Sequence, residues 1–246
     1  NMKALNEGSR ALSSYISMQL DYATYGEAEE QAKGETLAAL MTPIAKAFFT
    51  DLGFENTVAG QQVFGGHGFI REWGQEQLVR DARITQIYEG TNGIQAMDLL
   101  MRKVAGSKGT MLKVFTDEVN TFIESSKDAQ GMSEFITPLT AAVTDLTELT
   151  TDLLSKSQND INELGASAND YLHVFGYTAM AFVWAKMAQV SLLQQESNGE
   201  SGADFYQSKL HTARYFFTRL LPRRLSLIAS AKSGCDCLFA IEDELF

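Results

Sequence analysis

The sequence predicts an all-α fold, with one helical bundle followed by a second helical bundle. Only three prolines interrupt the 246 residues. Apolar residues recur at the three- and four-residue steps that line one face of a helix, and alternating β-branched runs that would indicate strands are absent. Because 45% of the residues are hydrophobic and 21% are charged, the chain has enough apolar side chains to form a core.

The helical spacing predicts helices over roughly residues 3–30, 35–65 and 91–104. After a hinge at Gly106, Ser107 and Gly109, four more helices are predicted between residues 110 and 233. The second group contains predicted breaks near Gly131, at 165–170 and at 197–202. We therefore divide the chain into a first domain, residues 1–105, and an extension domain, residues 106–246.

Residues 171–193 are unusually apolar, but Lys186 and two other polar side chains interrupt the run. A spanning helix needs about 18 uninterrupted apolar residues. The segment is therefore interpreted as a central helix buried on most sides, and no stable membrane insertion is expected.

Charge and cysteine use narrow the possible functions. The formal net charge of −11 argues against nucleic acid as a partner, since phosphate binding needs clustered Lys and Arg. The chain has two cysteines, Cys235 and Cys237, too few for a disulfide framework. We expect reduced thiols and a cytoplasmic location.

Histidine and cysteine spacing predicts no metal site. The three histidines are scattered at positions 67, 173 and 211, and are interpreted as individually satisfied side chains. The two cysteines lack the further ligands that a closed site requires.

Glycines are concentrated between Gly60 and Gly93, where seven of the 19 occur. At residues 62–69, two interpretations stay open. Such glycines can simply end a helix, or they can let the backbone lie against a phosphate or a flat cofactor. The dinucleotide-binding fingerprint does not apply, because it needs a preceding strand.

A second candidate lies at residues 87–93, around Glu89. Thr91 and Asn92 are good N-cap residues, and an acid near a helix N-terminus is favourable. The alternative is that Glu89 is a general base on a turn, since an apolar substrate that displaces water raises a carboxyl pKa towards working pH. The local pattern by itself favours the cap.

Three sequence motifs, taken together and in this order, resemble a known protein family, although none of them is specific to it alone. They read QVFGGHGFIRE at residues 62–72, LVRDARI at 78–84 and IYEGTNGIQ at 87–95. Their order and spacing resemble the C-terminal helical domain of flavin-dependent acyl-CoA dehydrogenases, over about residues 1–104. The helical extension resembles the longer bacterial members, the 3-methylmercaptopropionyl-CoA dehydrogenase-like branch.

The resemblance implies a role for each matching residue. Glu89 matches the catalytic base that removes the α-proton of an acyl-CoA thioester, while its backbone N–H polarises the thioester carbonyl and FAD accepts the hydride. Gly90 matches a substrate contact. Two groups of residues match FAD-binding positions. The first matches the segment that reaches the FAD of the partner subunit: Gln62, Val63, Phe64, Gly65 and Gly66. The second matches the residues that hold the phosphate end of the flavin from the substrate's own subunit: Thr91, Asn92 and Gly93.

The resemblance also implies partners and missing parts. Family members have an N-terminal helical domain, a middle β domain and a first bundle helix that this sequence lacks, so the chain alone is expected to be inactive and to hold FAD weakly. Electron-transfer flavoprotein is the implied electron acceptor. Residues 110–246 are expected to cover the face that shorter members use to form tetramers, which favours a homodimer.

Two other function classes stay open. One is a non-catalytic helical assembly module whose glycine-rich corner is only a helix junction. The other is an acyl-CoA oxidase or a nitroalkane-type oxidase with the same fold, which reactivity towards oxygen would distinguish.

Overall fold

The computed structural model describes residues 1–197 and 202–245. Nine α-helices run through this part of the chain, two of them continued by π-helical segments, and it contains no strand. The bounds are α1 Met2–Tyr25, α2 Ala28–Val63, α3 Gln75–Thr85, α4 Asn92–Met97 with its π-helical continuation Asp98–Ala105, α5 Thr110–Ser126, α6 Ser133–Lys156, α7 Asn162–Ser197, α8 Ala203–Tyr215 with its continuation Phe216–Leu220, and α9 Arg223–Ala231. Short 3₁₀ turns lie at Gly65–Phe69, Arg71–Trp73, Asp236–Leu238 and Asp243–Leu245. The all-α prediction is confirmed.

Helix α7 lies at the centre of the molecule. It packs against α1, α2, α4, α6, α8 and α9. From residue 171 to residue 185 every side chain is buried except His173, which is partly exposed. The prediction of a buried central helix is therefore confirmed for this stretch, which has an aliphatic and aromatic composition suited to burial on all sides.

One hydrophobic core runs through helices of both predicted domains. Phe48 of α2 packs edge-on against Tyr177 of α7, with ring centroids 5.1 Å apart, and Phe115 of α5 packs against Phe175 at the same distance. A Cβ at Gly176 would collide with the Phe48 ring, so this glycine allows α2 and α7 to approach closely. The division at residue 105 stays a prediction.

Several predicted boundaries are confirmed and others are wrong. The break near Gly131 is present, with this residue at a φ of 76° between α5 and α6. The break predicted at 165–170 is wrong, because α7 begins at Asn162 and Gly165 lies within it. The chain turns earlier, at residues 157–161, where the carboxylate of Asp160 accepts a hydrogen bond of 2.9 Å from the Asn162 amide. Gly165 is exposed, and an isolated glycine inside a helix is tolerated at a cost of about 1 kcal/mol relative to alanine.

Two further differences concern the number of helices. Helix α3 was not predicted, and none of its residues is buried. After residue 110 the described residues form five α-helices, not four, since Pro222 separates the end of α8 from α9. Most of the break predicted at 197–202 lies outside the described residues.

By length and composition, one helix among the described residues, α2, could cross a membrane. Half of its most apolar window is buried inside the protein. Core helices of globular proteins pass the same test, and α2 packs against α1, α3, α4, α5 and α7.

Candidate functional site

The glycine-rich segment, defined here as residues 58–97, lies on the surface and exposes apolar side chains. Of the 27 large hydrophobic residues that are exposed among the described residues, twelve belong to it: Val58, Val63, Phe64, Phe69, Ile70, Trp73, Leu78, Ile84, Ile87, Tyr88, Ile94 and Met97. An exposed apolar surface of this kind marks a place where a protein or a ligand binds.

Two glutamine side chains attach the first glycine motif to α2. Gln61 donates a hydrogen bond of 3.2 Å to the carbonyl of Gly68, and Gln75 at the start of α3 donates one of 3.0 Å to the carbonyl of Thr57. A Cβ at Gly68 would collide with the Gln61 carbonyl, so only glycine fits there. The backbone of residues 62–67 is thereby held on the surface at the end of α2.

A Cβ at Gly65 or at Gly66 would meet no atom within 4 Å among the described residues, apart from its local backbone and its chain neighbours. Gly65 also has a φ of 59°, a conformation that favours glycine. The space beside both residues is open, and a ligand or another chain could approach their backbone closely.

Glu89 lies on the tight turn between α3 and α4, and its side chain is exposed. It has a φ of 49°, and Gly90 follows with a φ of 81°. Positive φ at a non-glycine residue is a strained conformation that the surrounding structure must hold, and such residues concentrate at functional sites. The Glu89 N–H has no hydrogen-bond partner among the described residues.

Asn92, the first residue of α4, anchors the C-terminal side of this turn to α2. Its amide nitrogen, which carries two hydrogens, donates to Asp51 Oδ1 at 2.7 Å and shares its other hydrogen between Thr50 Oγ1 at 2.9 Å and the Ala47 carbonyl at 3.2 Å. Its amide oxygen accepts a hydrogen bond of 2.8 Å from Lys46 Nζ. Since the side chain is buried and fully used, it faces into the protein and away from the exposed turn.

Asp51 is the centre of the polar network beneath the turn. Gln86, at the N-terminal side of the turn, donates a hydrogen bond of 2.5 Å to the same Oδ1 that Asn92 contacts. His173 of α7 contacts the other carboxylate oxygen, with Nε2 and Oδ2 3.0 Å apart. Burial would raise the pKa of Asp51, but hydrogen bonds from His173, Gln86 and Asn92 outweigh it and hold this pKa below its usual range.

The structure brings together only some of the residues predicted as site residues. Glu89, Gly90 and Thr91 lie on one exposed turn, and the exposed Gly93 follows in the first turn of α4. The other group, residues 62–66, lies at the end of α2. Thr91 precedes α4 but its side chain makes no capping hydrogen bond, and Asn92 makes none either.

The residues beneath the turn were not predicted as site residues: Asp51, Gln86 and, in this role, His173. Their spacing in the sequence gives no signal, since they come together only in the fold. The one available signal was His173 itself, a polar residue within the most apolar run of the chain. The prediction that it is individually satisfied is confirmed by its contact with Asp51.

Among the described residues, no group of three His, Cys, Asp or Glu side chains is arranged to bind a metal ion. Cys235 and Cys237 are both free thiols. Cys235 is buried and directs its sulfur towards Asp160 Oδ2 at 3.4 Å. Burial, together with the neighbouring carboxylates, raises the pKa of this thiol to about 11, so it is protonated and unreactive at neutral pH.

Two known protein families together match most of the chain. Residues 14–104 match the family described as "Acyl-CoA dehydrogenase, C-terminal domain". Residues 115–242 match a second one, described as "Acetyl-CoA dehydrogenase C-terminal like".

Individual relatives and one solved structure agree with this. The chain is 34% identical to the 3-methylmercaptopropionyl-CoA dehydrogenase of Ruegeria pomeroyi over 89% of its own length and 37% of that protein. It is 26% identical to a butyryl-CoA dehydrogenase of Syntrophomonas wolfei over 99% of its length and 40% of that protein. The crystal structure of Caenorhabditis elegans ACDH-11 in complex with C11-CoA superimposes with a TM-score of 0.70 at 19% identity, over 96% of this chain and 38% of that one.

The chain thus spans somewhat more than a third of the length of these relatives. The structural match supports the same fold, and the two family matches cover both halves of the sequence. The chain belongs to the acyl-CoA dehydrogenase family and corresponds to its C-terminal helical part.

Proposed function

We propose that this chain forms the C-terminal helical part of an FAD-dependent acyl-CoA dehydrogenase, in which Glu89 removes the α-proton of an acyl-CoA thioester. The main support for the proposal is the structure of the turn at residue 89. It presents an exposed carboxylate on a strained backbone, next to the exposed apolar side chains of Ile87 and Tyr88.

The turn has the groups that α-proton removal needs. When an acyl chain covers Ile87 and Tyr88, water is displaced from Glu89, and the lower polarity raises its proton affinity towards that of a general base. The unpartnered Glu89 N–H is free to donate to the thioester carbonyl, which stabilises the negative charge that develops as the proton leaves. Gly90 lets the acyl group approach the backbone.

The residues present fit FAD, which supplies the hydride acceptor when bound. The open backbone beside Gly65 and Gly66 suits close contact with a cofactor of a partner subunit, together with Gln62, Val63 and Phe64. In the other group, Thr91 has an exposed hydroxyl that caps nothing, and Gly93 has a first-turn amide without an intrahelical partner. The Asn92 side chain is hydrogen-bonded to residues of α2, so Asn92 contributes to FAD binding only by fixing the position of α4.

The names of the relatives support acyl-CoA thioesters as the substrate class, and C11-CoA in the matched structure agrees with this. Electron-transfer flavoprotein remains our proposed acceptor, a homodimer our proposed assembly and the cytoplasm our proposed location. Light scattering of the full-length protein tests the assembly, since a tetramer would contradict the proposal that residues 110–246 cover the face that shorter members use to form tetramers.

We test the role of Glu89 with E89Q in the full-length protein, using E72Q as a matched control for loss of an exposed carboxylate in the glycine-rich segment. We expect turnover of E89Q to fall by at least about a hundredfold, with flavin content and helicity unchanged, while E72Q retains the activity of the unaltered protein. Full activity of E89Q would contradict the proposal.

The alternative is a non-catalytic assembly module, which the exposed apolar side chains of residues 58–97 favour. It predicts that E89Q changes nothing that can be measured. For the chain of 246 residues alone, we propose that it neither turns over acyl-CoA nor retains FAD. Stoichiometric flavin after gel filtration would contradict this second statement.

A further inference from the structure

We propose that His173 is a positioning residue for the turn that bears Glu89, and that it acts through Asp51. The consequence for catalysis rests on the proposed function, whereas the mechanical link does not. His173 belongs to the extension domain, so this link would give residues 106–246 a role in the site beyond assembly.

The link consists of contacts on both oxygens of one carboxylate. Gln86 and Asn92 enclose the turn of residues 87–91, and both donate to Asp51 Oδ1, at 2.5 and 2.7 Å. A backbone hydrogen bond of 3.2 Å from the Asn92 N–H to the Gln86 carbonyl closes the turn. The two ends of the turn are therefore fixed to a single side-chain atom of α2.

His173 fixes the orientation of that carboxylate. Its Nε2 lies 3.0 Å from Asp51 Oδ2, and its Nδ1 lies 2.9 Å from the carbonyl oxygen of Asn169, one helical turn earlier. Both ring nitrogens face acceptors, an arrangement that favours the protonated ring, which donates from both nitrogens. The imidazolium ring is held by its own helix and its edge-on contact with Phe48.

The surrounding charges favour this state. Burial lowers the pKa of His173, but the hydrogen bonds to Asp51 and to the Asn169 carbonyl, together with the charges of Asp51 and Asp170, outweigh it and raise this pKa. On the other side of Asp51, the Lys46 ammonium group occupies the amide oxygen of Asn92 and so directs the Asn92 amide nitrogen towards the carboxylate. Without His173, Asp51 would keep its hydrogen bonds to the turn but lose the partner that prevents its rotation.

A second ion pair, one helical turn further along α2 and α7, serves as a control for the Asp51–His173 pair. Arg223 of α9 contacts Glu55 of α2 at 2.9 Å and Tyr177 of α7 at 3.3 Å. Glu55 and Tyr177 each follow Asp51 and His173 by four residues. This second ion pair also joins α2 to the extension domain, but it has no contact with Gln86 or Asn92.

The experiment compares amide hydrogen exchange in the 246-residue chain and three variants. H173F removes both donors, H173Q retains one donor towards Asp51 without the charge, and R223Q breaks the control pair. For the amides of Ile87, Tyr88 and Asn92, which donate to backbone carbonyls, we expect exchange about tenfold faster in H173F, an intermediate rate in H173Q and no change in R223Q.

Equal exchange in H173F and the unaltered chain would overturn the proposal, as would an equal increase in R223Q. If H173F does not fold, H173Q takes its place, because it keeps a polar side chain beside Asp51 and removes the charge. The intermediate exchange increase at Ile87 and Asn92 is then expected, and exchange equal to that of the unaltered chain would overturn the proposal.

The catalytic consequence is measured separately in the full-length protein. We expect H173F to lower kcat with little change in KM, H173Q to restore part of kcat, and R223Q to match the unaltered enzyme. An unchanged kcat in H173F would overturn the catalytic part of the proposal. If exchange responds as expected but E89Q remains active, the link stands and the proposed function fails.

Discussion

The glycine-rich segment and the bundle around α7 are stabilised in opposite ways. Residues 58–97 expose twelve large apolar side chains and bury only Gly68, Asn92 and Ala96. In residues 98–160, all of which the structure describes, no large apolar side chain is exposed, and the central stretch of α7 is almost completely buried.

The difference shows where each region obtains its stability. The bundle buries its apolar side chains within the chain, so hydrophobic burial stabilises it directly. The glycine-rich segment is held instead by side-chain hydrogen bonds: Gln61 and Gln75 donate to backbone carbonyls, and Asn92 donates to the carboxylate of Asp51. Its apolar side chains stay exposed, as our proposed function requires of a site that a cofactor, a substrate and further protein complete.

The largest expected effect is the loss of a bundle aromatic side chain. F175A removes a fully buried ring that contacts Phe115 and Tyr171, so the free energy of unfolding should fall by about 3–5 kcal/mol in urea titrations. F69A removes a ring that is 80% exposed and should change it by less than about 0.5 kcal/mol. Similar losses in the two variants would refute the contrast between the regions.

A smaller effect is expected at the start of α4, where two neighbouring residues differ. N92A removes buried hydrogen bonds to α2 and leaves Asp51 with one donor fewer, so it should lower the free energy of unfolding by about 1–3 kcal/mol. T91A removes a side chain that makes no capping bond and should cost less than about 0.5 kcal/mol. A larger loss in T91A than in N92A would show that the segment is held by capping.

The Asp51–His173 pair should make stability depend on pH. The pKa of His173 is raised in the folded protein, so its contribution is complete below the ordinary histidine pKa of about 6.5 and is lost as the pH rises through the raised value. The pKa of Asp51 is lowered, so its contribution is complete above about pH 3.9 and is lost as the pH falls through the lowered value.

The stability difference between the unaltered chain and H173Q should therefore be largest between about pH 4 and 6.5, on the order of 1 kcal/mol. It should shrink at higher pH, where the imidazole loses its charge. Urea unfolding at pH 5.5 and at pH 9 measures this. A difference that grows with pH would mean that His173 is neutral in the folded protein.

The smallest effects are expected at two glycines that both have open space around them. Gly53 lies within α2, where G53A should stabilise the protein by about 0.5–1 kcal/mol because alanine loses less backbone entropy in a helix. Gly65 has a φ of 59°, so G65A should destabilise it by about 1 kcal/mol. Thermal unfolding of both variants shows whether each substitution raises or lowers the stability of the protein. A change in the same direction in both would contradict the assignment of Gly65 to a left-handed conformation.

Local patterns predicted the helical class, the buried central helix and the turn at Gly131. They failed at Gly165, which lies within α7 although glycine usually marks a break. An isolated glycine costs a helix only about 1 kcal/mol relative to alanine, and the rest of α7 is fixed by packing against α1, α2, α4, α6, α8 and α9. Helix α3 was not predicted from the sequence because it lies among glycines and buries none of its residues.

The candidate site shows the same limit. Glu89 and the glycines around it stand out because they form continuous motifs. The network beneath them does not, since Asp51 is 35 residues from Gln86 and 41 from Asn92, and His173 lies in another predicted domain. Such contacts become visible only when α2, α4 and α7 are packed together.

The most direct test of the account is the reduction of bound flavin in the full-length protein by acyl-CoA thioesters of graded chain length, without oxygen. We predict that one class of chain length bleaches the flavin absorbance, and that E89Q retains the flavin but is not bleached by any of them. Equal bleaching of the unaltered protein and E89Q would contradict the assignment of Glu89 as the base that begins the reaction.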